Sequence, residues 1–175
     1  PAMFALRAVL ASTLTPSWGM YAGYELYEHR AFKEGGEEYM DSEKYEIKVR
    51  DWEGAGKKGL TLAPFIALLN AIRKEHPALQ RLRNLTFHET DSDAIIAYSK
   101  REGKDLVMVV VNLDPSFAQG TTVHWNMEAL GLHSNEFAVK DLLDGSTMTW
   151  SPHTYVSLNP TRPVGKVAHI VSVKI

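Results

Sequence analysis

The densest collection of reactive side chains lies between Glu25 and Glu53, which hold ten of the 21 acidic residues against five bases. Carboxylates at Glu25, Glu37, Glu38, Asp41, Glu43 and Glu46 include enough candidates for a general acid/base pair of the kind that cleaves glycosidic bonds. The simpler reading of any one of them is a solvated charge on a loop. Glu25 differs, because it closes the apolar run "SWGMYAGYEL", where a buried carboxylate needs a partner. Within "SEKYEIKVRDW", Lys44 and Tyr45 set an ammonium beside a phenol. Both can donate to sugar hydroxyls or phosphate oxygens, while Glu43 can accept from hydroxyls. A surface ion pair with an anchoring tyrosine explains the same residues equally well.

Other chemistries find less support. "GAGKKG" at 54–59 lacks the glycine spacing and the following Ser or Thr of a phosphate loop, and reads as a flexible joint. Histidines at 29, 76, 88, 124, 133, 153 and 169 show no pair at metal-ligand spacing. No Gly-x-Ser-x-Gly elbow occurs. Asn84-Leu85-Thr86 fits a glycosylation sequon. The chain has no cysteine, which excludes disulfides and thiolate metal sites and fits a reducing, cytoplasmic setting.

The elements that must position these groups are legible in the apolar pattern. Hydrophobic residues make up 45% of the 175 and charged residues 23%, enough for a core. A net charge of -2 gives no electrostatic case for nucleic acid or an anionic membrane, and no apolar run reaches the ~18 residues of a span. Residues Ala2 to Leu14 read as a helix that is apolar around most of its circumference, ended by Thr15-Pro16. "SWGMYAGYEL" reads as a buried strand running into a turn at Gly23. In "TLAPFIALLNAIRKEHPAL", Thr61 offers an N-cap, Pro64 suits the first turn, and Leu62, Phe65, Ile66, Leu69, Ile72 and His76 form one stripe before Pro77.

Beyond Arg83 the period changes. "NLTFHE", "AIIAYSKR", "DLVMVVVNL", "TTVHWNM", "FAVKDLL", "STMTW" and "KVAHIVSVKI" are short β-rich runs separated by turn residues. They predict an antiparallel sandwich of about seven or eight strands. The expected fold is therefore α/β plus all-β, with a boundary near residue 83: residues 1–83 holding the long loop 25–60, and 84–175 forming the sandwich.

The order of "LTPSWGMYAGYEL", a helix ending "RKEHPAL", and "AIIAYSKREGKDLVMVVVNL" resembles the α-amylase superfamily. With "EGGEEYMDSEKYEIKVRDW" included, it most resembles the branch of bacterial maltosyltransferases that use α-maltose 1-phosphate. The resemblance implies that residues 1–83 are the last strand and helix units of a (β/α)8 barrel, followed by the C-terminal β-sandwich. It implies that Lys44 and Tyr45, with Glu43, contact the maltosyl donor at the C-terminal face of the barrel, and that Glu25 orients the pocket. It also implies a homodimer, no cofactor and no metal, and partners limited to α-maltose 1-phosphate, α-1,4-glucan and the N-terminal remainder of the same enzyme. The family's catalytic carboxylates lie in motifs that do not occur in this sequence, so no catalytic residue is assigned. Rival expectations are a related α-glucan hydrolase or branching enzyme, or a carbohydrate-binding β-sandwich using Trp125, Trp150 and Tyr155.

Overall fold

The computed structural model describes residues 1–40, 47–161 and 164–173. The first helix, α1 (Ala2–Leu14), buries Ala5, Leu6, Ala8, Val9, Ser12 and Thr13. Only a stripe through Met3, Arg7 and Ala11 is exposed, as the nearly all-round apolar pattern requires. The third helix is preceded by a short second one, α2 (Trp52–Lys57). Helix α3 (Ala63–Glu75) starts with proline in its first turn and buries Ile66, Leu69 and Ile72. The Thr61 hydroxyl accepts from the Ala63 amide at 3.1 Å.

Two expectations fail here. The segment 17–22 is not a strand: it is irregular and largely exposed, and runs into a 3-10 turn at Tyr24–Leu26. A strand needs neighbours to take up its backbone groups, and no described strand pairs with it. The 54–59 joint is also ordered, because the Asp51 carboxylate accepts from the Gly54 amide at 2.8 Å and caps α2. An Asp cap satisfies a free helical N–H, which outweighs the glycines' weak propensity.

Eight strands follow among the described residues: β1 (Leu85–Thr90), β2 (Ile95–Glu102), β3 (Asp105–Asn112), β4 (Gln119–His124), β5 (Phe137–Asp141), β6 (Thr147–Trp150), β7 (His153–Leu158) and β8 (Ala168–Val173). A one-turn helix, α4 (Met127–Leu130), lies between β4 and β5. All pairings are antiparallel, in the order β6-β5-β8-β3-β2-β1-β4-β7. Strands β6 and β7 stand at opposite ends of that order, yet only Ser151 and Pro152 separate them. The sheet must therefore curl until its two ends meet. The Trp125 and Trp150 rings stack across that seam, 5.5 Å apart at 16°.

Curling gives two cores. Val107, Val109 and Val111 of β3 face α1 and α3, together with Tyr98 and Ile170. Leu106, Met108 and Val110 face the inside of the curl with Trp125, Trp150, Val156 and Val171. With both faces covered, "LVMVVV" is an unbroken apolar run, whereas β7 alternates exposed and buried. Side chains on either side of Arg83 thus share the core beneath α1 and α3.

Candidate functional site

Lys44, Tyr45 and Glu43 lie outside the described residues, so the site is read from the segments that frame them. At the base of the loop the backbone makes two tight reversals. Gly23 has φ +100° and Tyr27 φ +58°; the first favours glycine for lack of a Cβ. A side chain at position 23 would also meet the Glu28 carboxylate, 2.2 Å from its Cβ.

Glu28 is the centre of a clasp. Its carboxylate accepts from Arg50 Nε at 2.9 Å and from Lys48 Nζ at 3.0 Å, and Arg50 also donates to the Ala22 carbonyl at 3.2 Å. The Arg50 side chain is 6% exposed and that of Glu28 21%, so these are partly desolvated, charge-assisted bonds. The Arg50 guanidinium, seconded by Lys48, holds the Glu28 carboxyl below its ordinary range. Residues 47–50 alternate as extended chain does: Lys48 and Arg50 turn inward while Ile47 and Val49 are 94% and 92% exposed. Half of "SEKYEIKVRDW" is therefore an anchor, with its charges turned inward between exposed apolar residues.

Glu25 does not stand at the end of a strand. Its carboxylate accepts from the Gly23 amide at 3.0 Å, and its carbonyl accepts from the Leu62 amide at 2.8 Å and from the Thr61 hydroxyl at 3.1 Å. It ties the turn to the start of α3. An aromatic group sits beside it. Phe4 packs edge-on against Tyr27 at 5.4 Å and tilted against Tyr24 at 4.8 Å, and the Tyr24 hydroxyl donates to the Phe4 carbonyl. Burial raises both phenols above their usual range, so at neutral pH they are donors.

The end of α1 that leads into this region is capped by two cations. The Arg73 guanidinium donates to the carbonyls of Ser12, Thr15 (3.0 Å) and Pro16 (2.7 Å). Lys100, fully buried, donates to the Leu14 carbonyl at 3.5 Å and to that of Arg81. Cations at a helix C-terminus meet its unpaired carbonyls and its dipole. Burial, aided by Arg73, lowers the lysine.

The remaining sequence candidates sort clearly. Trp125 and Trp150 are core residues, 4% exposed each, and offer no ring face to a sugar. Tyr155 is 70% exposed and its hydroxyl lies over Gly120. The Asn84 amide nitrogen donates to the Ala78 and Arg101 carbonyls at 2.9 and 3.0 Å, and so is occupied within the fold. Among the described residues no three of His, Cys, Asp or Glu converge on a metal position. The clasp itself could have been read from "YEHR" and "KVRD" as opposite charges at the two ends of one loop; pairing them required the fold.

Solved structures share this architecture. The chain is similar to a noncanonic maltogenic alpha-amylase from Thermotoga neapolitana (TM-score 0.67, 12% identity, covering 99% of this chain and 37% of that one). It is also similar to an alpha-amylase from Geobacillus thermoleovorans (TM-score 0.66, 14% identity, 98% and 33%). At such identities the likeness concerns the fold: the helices and curled sheet are arranged as in parts of alpha-amylases.

Sequence comparison narrows the class. The family described as "GLGE, C-terminal" matches residues 87–173. The chain is 54% identical over 168 residues to alpha-1,4-glucan:maltose-1-phosphate maltosyltransferase 2 of Streptomyces coelicolor, covering 95% of this chain and 25% of that protein. It is 54% identical over 172 residues to the maltosyltransferase of Corynebacterium glutamicum (97% and 25%) and 48% identical over 175 residues to that of Mycobacterium tuberculosis (98% and 24%). The chain belongs to the family of bacterial alpha-1,4-glucan:maltose-1-phosphate maltosyltransferases, and spans about a quarter of the length of these curated relatives.

Proposed function

We propose that this chain is the C-terminal part of an enzyme that moves a maltosyl unit from α-maltose 1-phosphate to the non-reducing end of an α-1,4-glucan, releasing phosphate. The observation that carries the reading is identity of about half, sustained along almost the whole chain, to proteins of that name. Two observations on the chain itself support it. A clasped loop, pinned by Glu28, Lys48 and Arg50, carries the Glu43, Lys44 and Tyr45 stretch. Beside it Ile47, Val49 and Phe32 stand exposed, an apolar surface suited to packing against further protein.

In this reading residues 1–83 belong to the end of a (β/α)8 barrel, with the loop 25–60 lying on the substrate side. Residues 84–175 form the C-terminal sheet domain. Lys44 and Tyr45 donate to the phosphate or hydroxyls of the donor, and Glu43 accepts from a hydroxyl. Glu25 and Glu28 hold the loop in place. The chemistry is a retaining double displacement: a carboxylate outside this chain attacks the anomeric carbon, phosphate leaves, and a glucan 4-hydroxyl captures the maltosyl-enzyme. Two inversions preserve the α configuration. Phosphate is already a good leaving group, so no cofactor is called for. The active form is a cytoplasmic homodimer.

Incubating the full-length enzyme that carries this chain with α-maltose 1-phosphate and glycogen tests this. Phosphate release that depends on glycogen, with chains lengthened by two glucose units, is expected. Release of maltose from starch without phosphate-dependent transfer would favour the α-glucan hydrolase reading instead.

A further inference from the structure

Two histidines 29 positions apart in sequence meet at the β4–β7 edge of the sheet. His124 ends β4, His153 opens β7, and the two are direct cross-strand partners. Their Nδ1 atoms lie 2.9 Å apart. The far nitrogen of His124, Nε2, is 2.7 Å from the Asp91 carboxylate. Glu89 on β1 is the cross-strand partner of His124 on its other side, so Glu89, His124 and His153 form one row on one face of the sheet. The row faces outward, since β7 exposes His153, Tyr155 and Ser157 while it buries the alternate residues.

Hydrogen-bond chemistry assigns the tautomers. A carboxylate only accepts, so His124 carries its proton on Nε2 and presents a bare Nδ1 lone pair toward His153. A ring nitrogen fixed by a carboxylate on its other side is the arrangement that orients a metal-binding imidazole and raises its basicity. His153 now donates its Nδ1 proton into that lone pair. In solvent it can take the alternate tautomer, with the proton on Nε2, and rotation of the two rings then brings both Nδ1 lone pairs onto one ion.

The short spacing favours one class of metal. With metal–nitrogen bonds of about 2.0–2.1 Å, a 2.9 Å separation subtends roughly 90° at the ion, whereas a tetrahedral angle needs about 3.3 Å. Ninety degrees is the cis angle of square-planar and tetragonal centres, which Cu(II) and Ni(II) favour and Zn(II) does not. No third protein ligand converges among the described residues, so water completes the coordination. The carboxylates of Glu89 and Asp91 supply negative charge around a dication.

We propose that the His124–His153 pair is a two-nitrogen chelate for Cu(II) or Ni(II), with Asp91 orienting His124 from behind. The proposal is independent of the maltosyl-transfer reading, because its readout is metal binding.

The test is titration of the protein with Ni(II) and with Zn(II) by calorimetry, and an electron paramagnetic resonance spectrum after one equivalent of Cu(II). The variants are His124→Gln, His153→Gln, the double variant and Asp91→Asn, each first shown by its metal-free melt to be folded. One saturable site, Ni(II) bound more tightly than Zn(II), and two nitrogens coupled to the copper are expected. Either His→Gln change should remove the site, and Asp91→Asn should weaken it roughly tenfold or more. Unaltered binding in the double variant, or Zn(II) bound more tightly than Ni(II), would overturn the proposal.

Discussion

Replacing Arg50 with alanine should open the loop between residues 29 and 49 while leaving the two cores intact. Arg50 gives Glu28 a two-pronged contact, Nε to Oε1 at 2.9 Å and a terminal nitrogen to Oε2 at 3.3 Å, and its side chain is 6% exposed. Hydrogen bonds to charged groups contribute about 1.5–3 kcal/mol, well above an exposed pair. Lys48 stays on the carboxylate, so Glu28 is not orphaned, and that range bounds the loss. It corresponds to an opening equilibrium raised by roughly tenfold to over a hundredfold. Limited proteolysis under conditions of fast reclosing reads this equilibrium directly. Cleavage within 29–49 should quicken by that factor, while the melting temperature of the sheet hardly moves. Arg50→Lys should recover part of the protection, restoring charge but not the fork. Acid should imitate the variant. The folded pKa of Glu28 lies below its ordinary value of 4.5, so its contribution is complete above that value and is lost as pH falls through and below it. Equal cleavage rates for wild type and Arg50→Ala at neutral pH would refute the reasoning.

Three further outcomes follow from other contacts. His88 is buried, its Nε2 2.8 Å from the Ser99 hydroxyl and its Nδ1 accepting the Asn126 amide, and burial pushes its pKa down to about 4. The unfolded chain binds that proton more readily, so stability should fall by up to about 3 kcal/mol as pH drops from about 6.5 to about 4; urea melts should show this, and His88→Gln should flatten it. Trp150→Ala, which removes the partner stacked on Trp125, should cost about 3–5 kcal/mol in the same melts, whereas Tyr155→Ala should cost little. Arg73→Ala should destabilise by about 1.5–3 kcal/mol, and Arg73→Lys should not restore the loss, because one ammonium cannot span the carbonyls of Ser12, Thr15 and Pro16.

Helix and strand periods were the readable part of this fold. The stripe from Leu62 to His76 and the run "LVMVVV" each carry a period that a single environment imposes, and both appear as elements. Segment 17–22 has a strand's composition but pairs with no described strand, and composition cannot supply hydrogen-bond partners. Residues 54–59 looked like a joint because glycine propensity is local, while the Asp51 cap acts from outside the glycine run. Strand β7 escaped because "HTYVSL" alternates weakly, and with it went the His124–His153 pair, which exists only through strand register. Glu28 was passed over for Glu25 for a similar reason. Its importance comes from Arg50, 22 residues away, and from the Gly23 turn that brings the two together.

The most direct measurement is donor kinetics and a thermal melt on one protein, the full-length enzyme carrying Lys44→Ala. If Lys44 holds the donor, kcat/KM for α-maltose 1-phosphate should fall by roughly tenfold to over a hundredfold, the loss of a charged hydrogen bond of about 1.5–3 kcal/mol. The melting temperature should stay where it is. Tyr45→Phe should cost less, since its ring remains. Unchanged kinetics together with a lowered melting temperature would contradict the account, making the loop a structural tie and not part of the donor site.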